Sequence, residues 1–70
     1  MMRVFAEDEI KDLAEAICNA IEKEPLRFYD ILRMFEREEY RKILLAWSRI
    51  MEQKKIFQDE FGKWHSKGEK

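Results

Sequence analysis

From residue 7 to residue 24 the apolar positions fall at Ile10, Leu13, Ala14, Ile17 and Ile21, three or four apart among charged neighbours. That spacing predicts one amphipathic helix with a narrow apolar stripe. Glu7, Asp8 and Glu9 crowd its start, where the helix dipole favours negative charge. Pro25 disfavours helical geometry at Glu24 and sets the stop. Cys18 lies beside the stripe and reads as a small, partly buried hydrophobe.

The next segments are shorter. LRF at 26–28 reads as a very short strand, and YDILRMFE at 29–36 as a brief helix burying Ile31, Met34 and Phe35. EEYRKILLAWSRIMEQK at 38–54 reads as a longer helix with Tyr40, Ile43, Leu44, Trp47, Ile50 and Met51 on its apolar side. Could the two helices be one? At about 100° per residue their apolar centres differ by about 150°. A continuous rod would turn its apolar side from core to water halfway along, so the chain must break near Glu36–Glu38. Lys54 and Lys55 suit a helix C-terminus. Ile56, Phe57, Trp64 and His65 are β-prone or aromatic, and Gly62 suits a positive-φ turn, which predicts a hairpin over 56–66 with DEFG at its tip. Residues 1–6 are an N-terminal arm and 67–70 a polar tail. The expected fold class is mainly α with a small β-hairpin (α+β), ordered helix, strand, helix, helix, strand, strand.

Seventy residues make one small domain. A chain of that size buries only about 60% of its unfolded surface, so a stabilising device beyond the core is expected. With one cysteine and one histidine, an intramolecular disulfide is excluded and Cys18 and His65 alone make no metal site. A partner chain is the device left. Charged residues are 41% of the chain, a richness shared by heat-adapted proteins with surface ion-pair networks, so a thermophilic source is one expectation. No apolar run approaches the 18 or so residues of a membrane span. The start MMRVFAEDEI turns acidic without a signal peptide's apolar core, so a cytoplasmic protein with a reduced thiol is expected. Catalysis is not expected. No serine or cysteine has an evident base, Glu38 and Glu39 diverge on a helix, and two glycines build no phosphate loop. Nothing calls for a cofactor or metal.

Net charge is −1 but unevenly spread. Residues 1–32 hold four basic and eight acidic side chains, a balance of −4, and residues 33–70 hold ten and seven, a balance of +3. The second half is the one suited to a polyanion.

Residues 26–65 resemble the winged helix-turn-helix superfamily. LRFYDILRMF is similar to its strand and second helix, EEYRKILLAWSRIMEQKKI to its groove-reading third helix, and IFQDEFGKWH to its wing. The resemblance implies duplex DNA binding by a small transcriptional regulator. By position it assigns Arg41, Lys42, Leu45, Ser48 and Arg49 to the outward face of the third helix; in DNA binding Arg37, Arg41, Lys42 and Arg49 are then expected on phosphates and bases, with Lys54, Lys55 and Lys63 assisting on the backbone. Arginine offers a planar fork to guanine or phosphate, lysine a point charge, and Leu45 an apolar contact for a thymine methyl. A homodimer on two half-sites is then expected, with MMRVF and the first helix as its natural surfaces. The alternative is a winged-helix protein-interaction module or accessory subunit that docks through Leu45. Glu38 and Glu39 at the start of the third helix, Asp59 and Glu60 at the wing tip and a pI of about 5.8 point that way.

Overall fold

A computed structural model of the protein describes residues 5–67. It is an α+β fold, three helices followed by a two-stranded antiparallel hairpin. The elements are α1 (Glu7–Lys23), α2 (Phe28–Met34), α3 (Tyr40–Gln53), β1 (Ile56–Gln58) and β2 (Trp64–Ser66). The arm residues 1–4 and the tail residues 68–70 lie outside the described residues.

α1 buries its whole predicted stripe, Ile10, Leu13, Ala14, Ile17 and Ile21. Glu24 leaves the helix with φ −163° and ψ 147°, the extended geometry that a following proline imposes. The 26–28 strand is smaller than expected. Leu26 alone pairs, in a single bridge to Trp64, its N–H donating to the Trp64 carbonyl at 3.2 Å and its carbonyl accepting the Trp64 N–H at 2.6 Å. One residue later the chain is already turning into α2, because the Asp30 carboxylate accepts the Arg27 N–H at 3.1 Å, half of a capping box. Phe28 therefore begins a helix rather than ending a strand, and no third strand is present among the described residues.

The chain breaks between α2 and α3, where Phe35 leaves helical geometry and Glu38 N–H closes a turn onto the Phe35 carbonyl at 2.9 Å. No glycine is needed, since neither residue takes a positive φ. α3 then lies along α1, with Ile43, Ala46 and Ile50 buried between them. This face is turned from the expected one. Tyr40 and Leu44, placed on the apolar side by hydrophobicity, are 59% and 41% exposed, and Met34 of α2 is also exposed. The smaller Ala46 faces the core instead. Both helices bring an alanine to the seam, Ala14 and Ala46, and small side chains let helices pack closely. Trp47 sits half-buried at the edge of this core. Its ring is 5.0 Å from Phe28 of α2 and 5.0 Å, edge-on, from Trp64 of β2, which ties both helices to the hairpin.

Lys54 ends α3 in the left-handed region (φ 55°), its N–H reaching the Ile50 and Met51 carbonyls. A non-glycine residue there costs roughly 1 kcal/mol, and the bend it makes aims Ile56 back into the core.

Candidate interaction surface on the third helix

With α3 held by Ile43, Ala46 and Ile50, its 3.6-residue period decides what points outward. Arg41, Leu44, Leu45, Ser48 and Glu52 are exposed, with Tyr40 at the helix start. The nine residues assigned to DNA do not form one surface. Arg41, Leu45 and Ser48 share the outer face, Leu45 being 45% exposed. Arg37 is exposed in the turn before the helix, and Lys63 at the hairpin tip. Lys42 and Arg49 lie on the flank. Lys42 Nζ donates to Glu38 Oε1 at 3.1 Å, and Arg49 Nη2 donates to Oε2 of Glu7 on α1.

Lys54 and Lys55 line, together with Arg49, a groove between α1 and the start of the hairpin that Glu15, Cys18, Glu22 and Lys67 also border. Burial pushes the Cys18 thiol up, against the opposing charge of Lys55 and with the help of Glu22 and Glu15. This thiol is poorly suited to act as a nucleophile. Among the described residues no three His, Cys, Asp or Glu side chains converge as metal ligands, and no helix is long and apolar enough to cross a membrane.

How strong are the flank pairs? Partly exposed ion pairs are worth about 0–1 kcal/mol, so neither Lys42 nor Arg49 is locked in place. The carboxylates matter more than the bonds. A phosphate approaching either cation also meets Glu38 or Glu7, and the attraction is largely cancelled. On the outer face Arg41 and Glu52 stand at opposite ends of one strip, both exposed.

The hairpin tip is organised by Asp59. Its Oδ1 accepts the N–H groups of Phe61 (2.8 Å) and Lys63 (2.9 Å), and Oδ2 lies 2.6 Å from His65 Nε2, which must carry the proton because the carboxylate can only accept. His65 in turn stacks on Phe57, the two rings 5.1 Å apart. The hydrogen bond from His65, then that from the Lys63 N–H, hold the Asp59 carboxyl at about 2, below the ordinary 3.8. Since the folded-state value is the lower one, the carboxylate's contribution to the tip is complete above 3.8 and is lost as pH falls through about 2. NMR shifts of the Phe61 and Lys63 amides should therefore show an acid step centred near 2. Asp59→Asn should abolish that step, and a midpoint at the ordinary value would show that the tip is not held this way. Asp59 is thus a structural residue, not a free charge facing a ligand.

The residues that sequence reasoning passed over are Tyr40 and Leu44, assigned to the core, and Glu52. A helical count from Leu45 finds Glu52 seven positions on. Exposure of Tyr40 and Leu44 has no such signal, because it depends on where α1 docks. Comparison with family models, curated proteins and solved structures finds no match to this chain.

Proposed function

We propose that this chain is a winged-helix-like protein-interaction module that docks a partner through the outer face of α3. The element order supports the winged-helix part of the reading, with the Leu26–Trp64 bridge standing where that fold has its first strand. One observation carries the docking part. Tyr40, Leu44 and Leu45 stand exposed on α3, while its flanking cations Lys42 and Arg49 are answered by carboxylates. Covering the exposed part of each large apolar side chain gains about 1 kcal/mol, roughly 3 kcal/mol for the three. A solvated phosphate backbone cannot supply that, and a protein surface can.

A second reading, duplex DNA binding, is favoured by one feature. Arg37 and Arg41 are exposed and have no ion-pair partner among the described residues. The two readings separate in one set of measurements. Under the docking reading, fluorescence anisotropy of a random duplex does not change at near-physiological salt. A tagged chain retains a protein from nuclease-treated extract of its own cells, and Leu45→Glu loses it. Duplex binding that falls steeply with salt and is weakened by Arg41→Ala would overturn this.

A further inference from the structure

The outer strip of α3 consists of Arg41, Leu45, Ser48 and Glu52, all exposed, at successive spacings of four, three and four. Those spacings keep the four side chains on one face over about 16 Å of helix. They also read the same from either end, with a midpoint between Ala46 and Trp47. Across that midpoint the charge changes sign, from Arg41 near the N-terminus to Glu52 near the C-terminus. Neither has an ion-pair partner within the chain among the described residues.

A strip with those two properties is complementary to itself. When a second α3 is laid against the first, antiparallel and related by a two-fold axis through the midpoint, Arg41 of each chain meets Glu52 of the other. Leu45 of each meets Ser48 of the other. The parallel arrangement would set Arg41 against Arg41 and is disfavoured. Leu44 and Tyr40, exposed beside the strip, add apolar area on one flank. On the other flank Lys42 and Arg49 arrive with Glu38 and Glu7 already beside them, so the flank brings no net charge.

We infer that the occupant of this face is a second copy of the chain, held by an isologous antiparallel α3 pair. The inference rests on the reading of the face as a protein-docking surface and names its partner. It also moves the expected dimer contact. The apolar stripe of α1 is spent on the chain's own core and offers nothing to a second copy, and Met1–Val4 of the arm lie outside the described residues. A single helix pair is a small interface of the weak, transient class.

The test is sedimentation equilibrium on the full chain from about 10 µM to about 1 mM, the range of weak dissociation constants. Wild type should move from one chain to two across it. Arg41→Glu gives the strip two acidic ends and Glu52→Arg two basic ends, so each alone should weaken self-association by at least about tenfold, about 1.4 kcal/mol. Mixing the two variants restores opposite charges at both ends and should recover a heterodimer, and the double variant should recover the homodimer. All four positions are exposed, and circular dichroism of each variant should match wild type. A chain that stays monomeric throughout, or a dimer indifferent to both reversals, overturns the inference. A monomer that still retains a foreign protein in a Leu45-dependent way overturns self-pairing alone, whereas duplex DNA binding overturns the docking reading beneath it.

Discussion

Ile50→Ala leaves much of the chain unfolded at 25 °C. Ile50 has no exposed surface and sits in the α1–α3 seam with Ile17, Ile21 and Ile43, all at 2% exposure or less. Removing most of a fully buried aliphatic side chain costs about 2–5 kcal/mol, the spread reflecting how well the site can collapse. A core of this size rarely supplies more than about 3–5 kcal/mol in all. The loss is thus comparable with the total stability. A urea titration followed by circular dichroism should show a cooperative transition for wild type and little or no folded baseline for the variant. Leu44→Ala is the control. It removes a similar side chain from the same helix, but one already 41% exposed, and should cost about 1 kcal/mol or less. Similar losses for the two variants would mean that α3 packs by a different face.

Trp47→Ala is expected to cost about 2–3 kcal/mol, less than the 3–5 of a fully buried aromatic because Trp47 is half-buried. Its effect should also be localised. The indole contacts Phe28 on one side and Trp64 on the other, and Trp64 carries the backbone bridge to Leu26. The hairpin has only three residue pairs of its own, and two short strands alone are marginal in water. Without the indole the hairpin should open before the α1–α3 seam does. Hydrogen exchange should then find the Leu26 and Trp64 amides losing protection while those of Ile17 and Ile50 keep most of theirs. Uniform loss of protection would show that the hairpin and the helices unfold as one unit. Trp47→Phe, which keeps an aromatic edge toward both neighbours, should recover much of the difference.

These two residues mark where the chain is legible and where it is not. The α1 stripe is readable because its apolar residues form one narrow stripe with charged residues on every other side, so periodicity and burial coincide at all five positions. The stop at Pro25 and the tip at Gly62 are local backbone preferences and need no partner. The break after Phe35 follows from two apolar stripes that one rod cannot aim inward together. α3 is different. It is apolar around more than half its circumference, with Tyr40, Leu44, Leu45, Ala46 and Trp47 on several sides. A count of large hydrophobic residues centres the face near Trp47, whereas the buried positions Ile43, Ala46 and Ile50 centre it near Ile50. A chain of 70 residues cannot enclose them all, so some large apolar residues stay outside and define the candidate surface. The candidate ligands were misgrouped for the same reason. Arg49 meets Glu7 across 42 positions, a pairing that no local pattern contains.

What the amino-acid order determines by itself is the set of rods and turns: the span of the first helix, that two helices are needed after Pro25, and that a hairpin follows them. Those outcomes follow from backbone sterics and from the period of one face at a time. Only the tertiary structure decides which way α3 is rolled. That depends on how α1 and α3 dock, which buries Ile43, Ala46 and Ile50 and leaves the larger Tyr40 and Leu44 outside. The roll in turn decides which side chains meet a partner and which spend their charge within the chain.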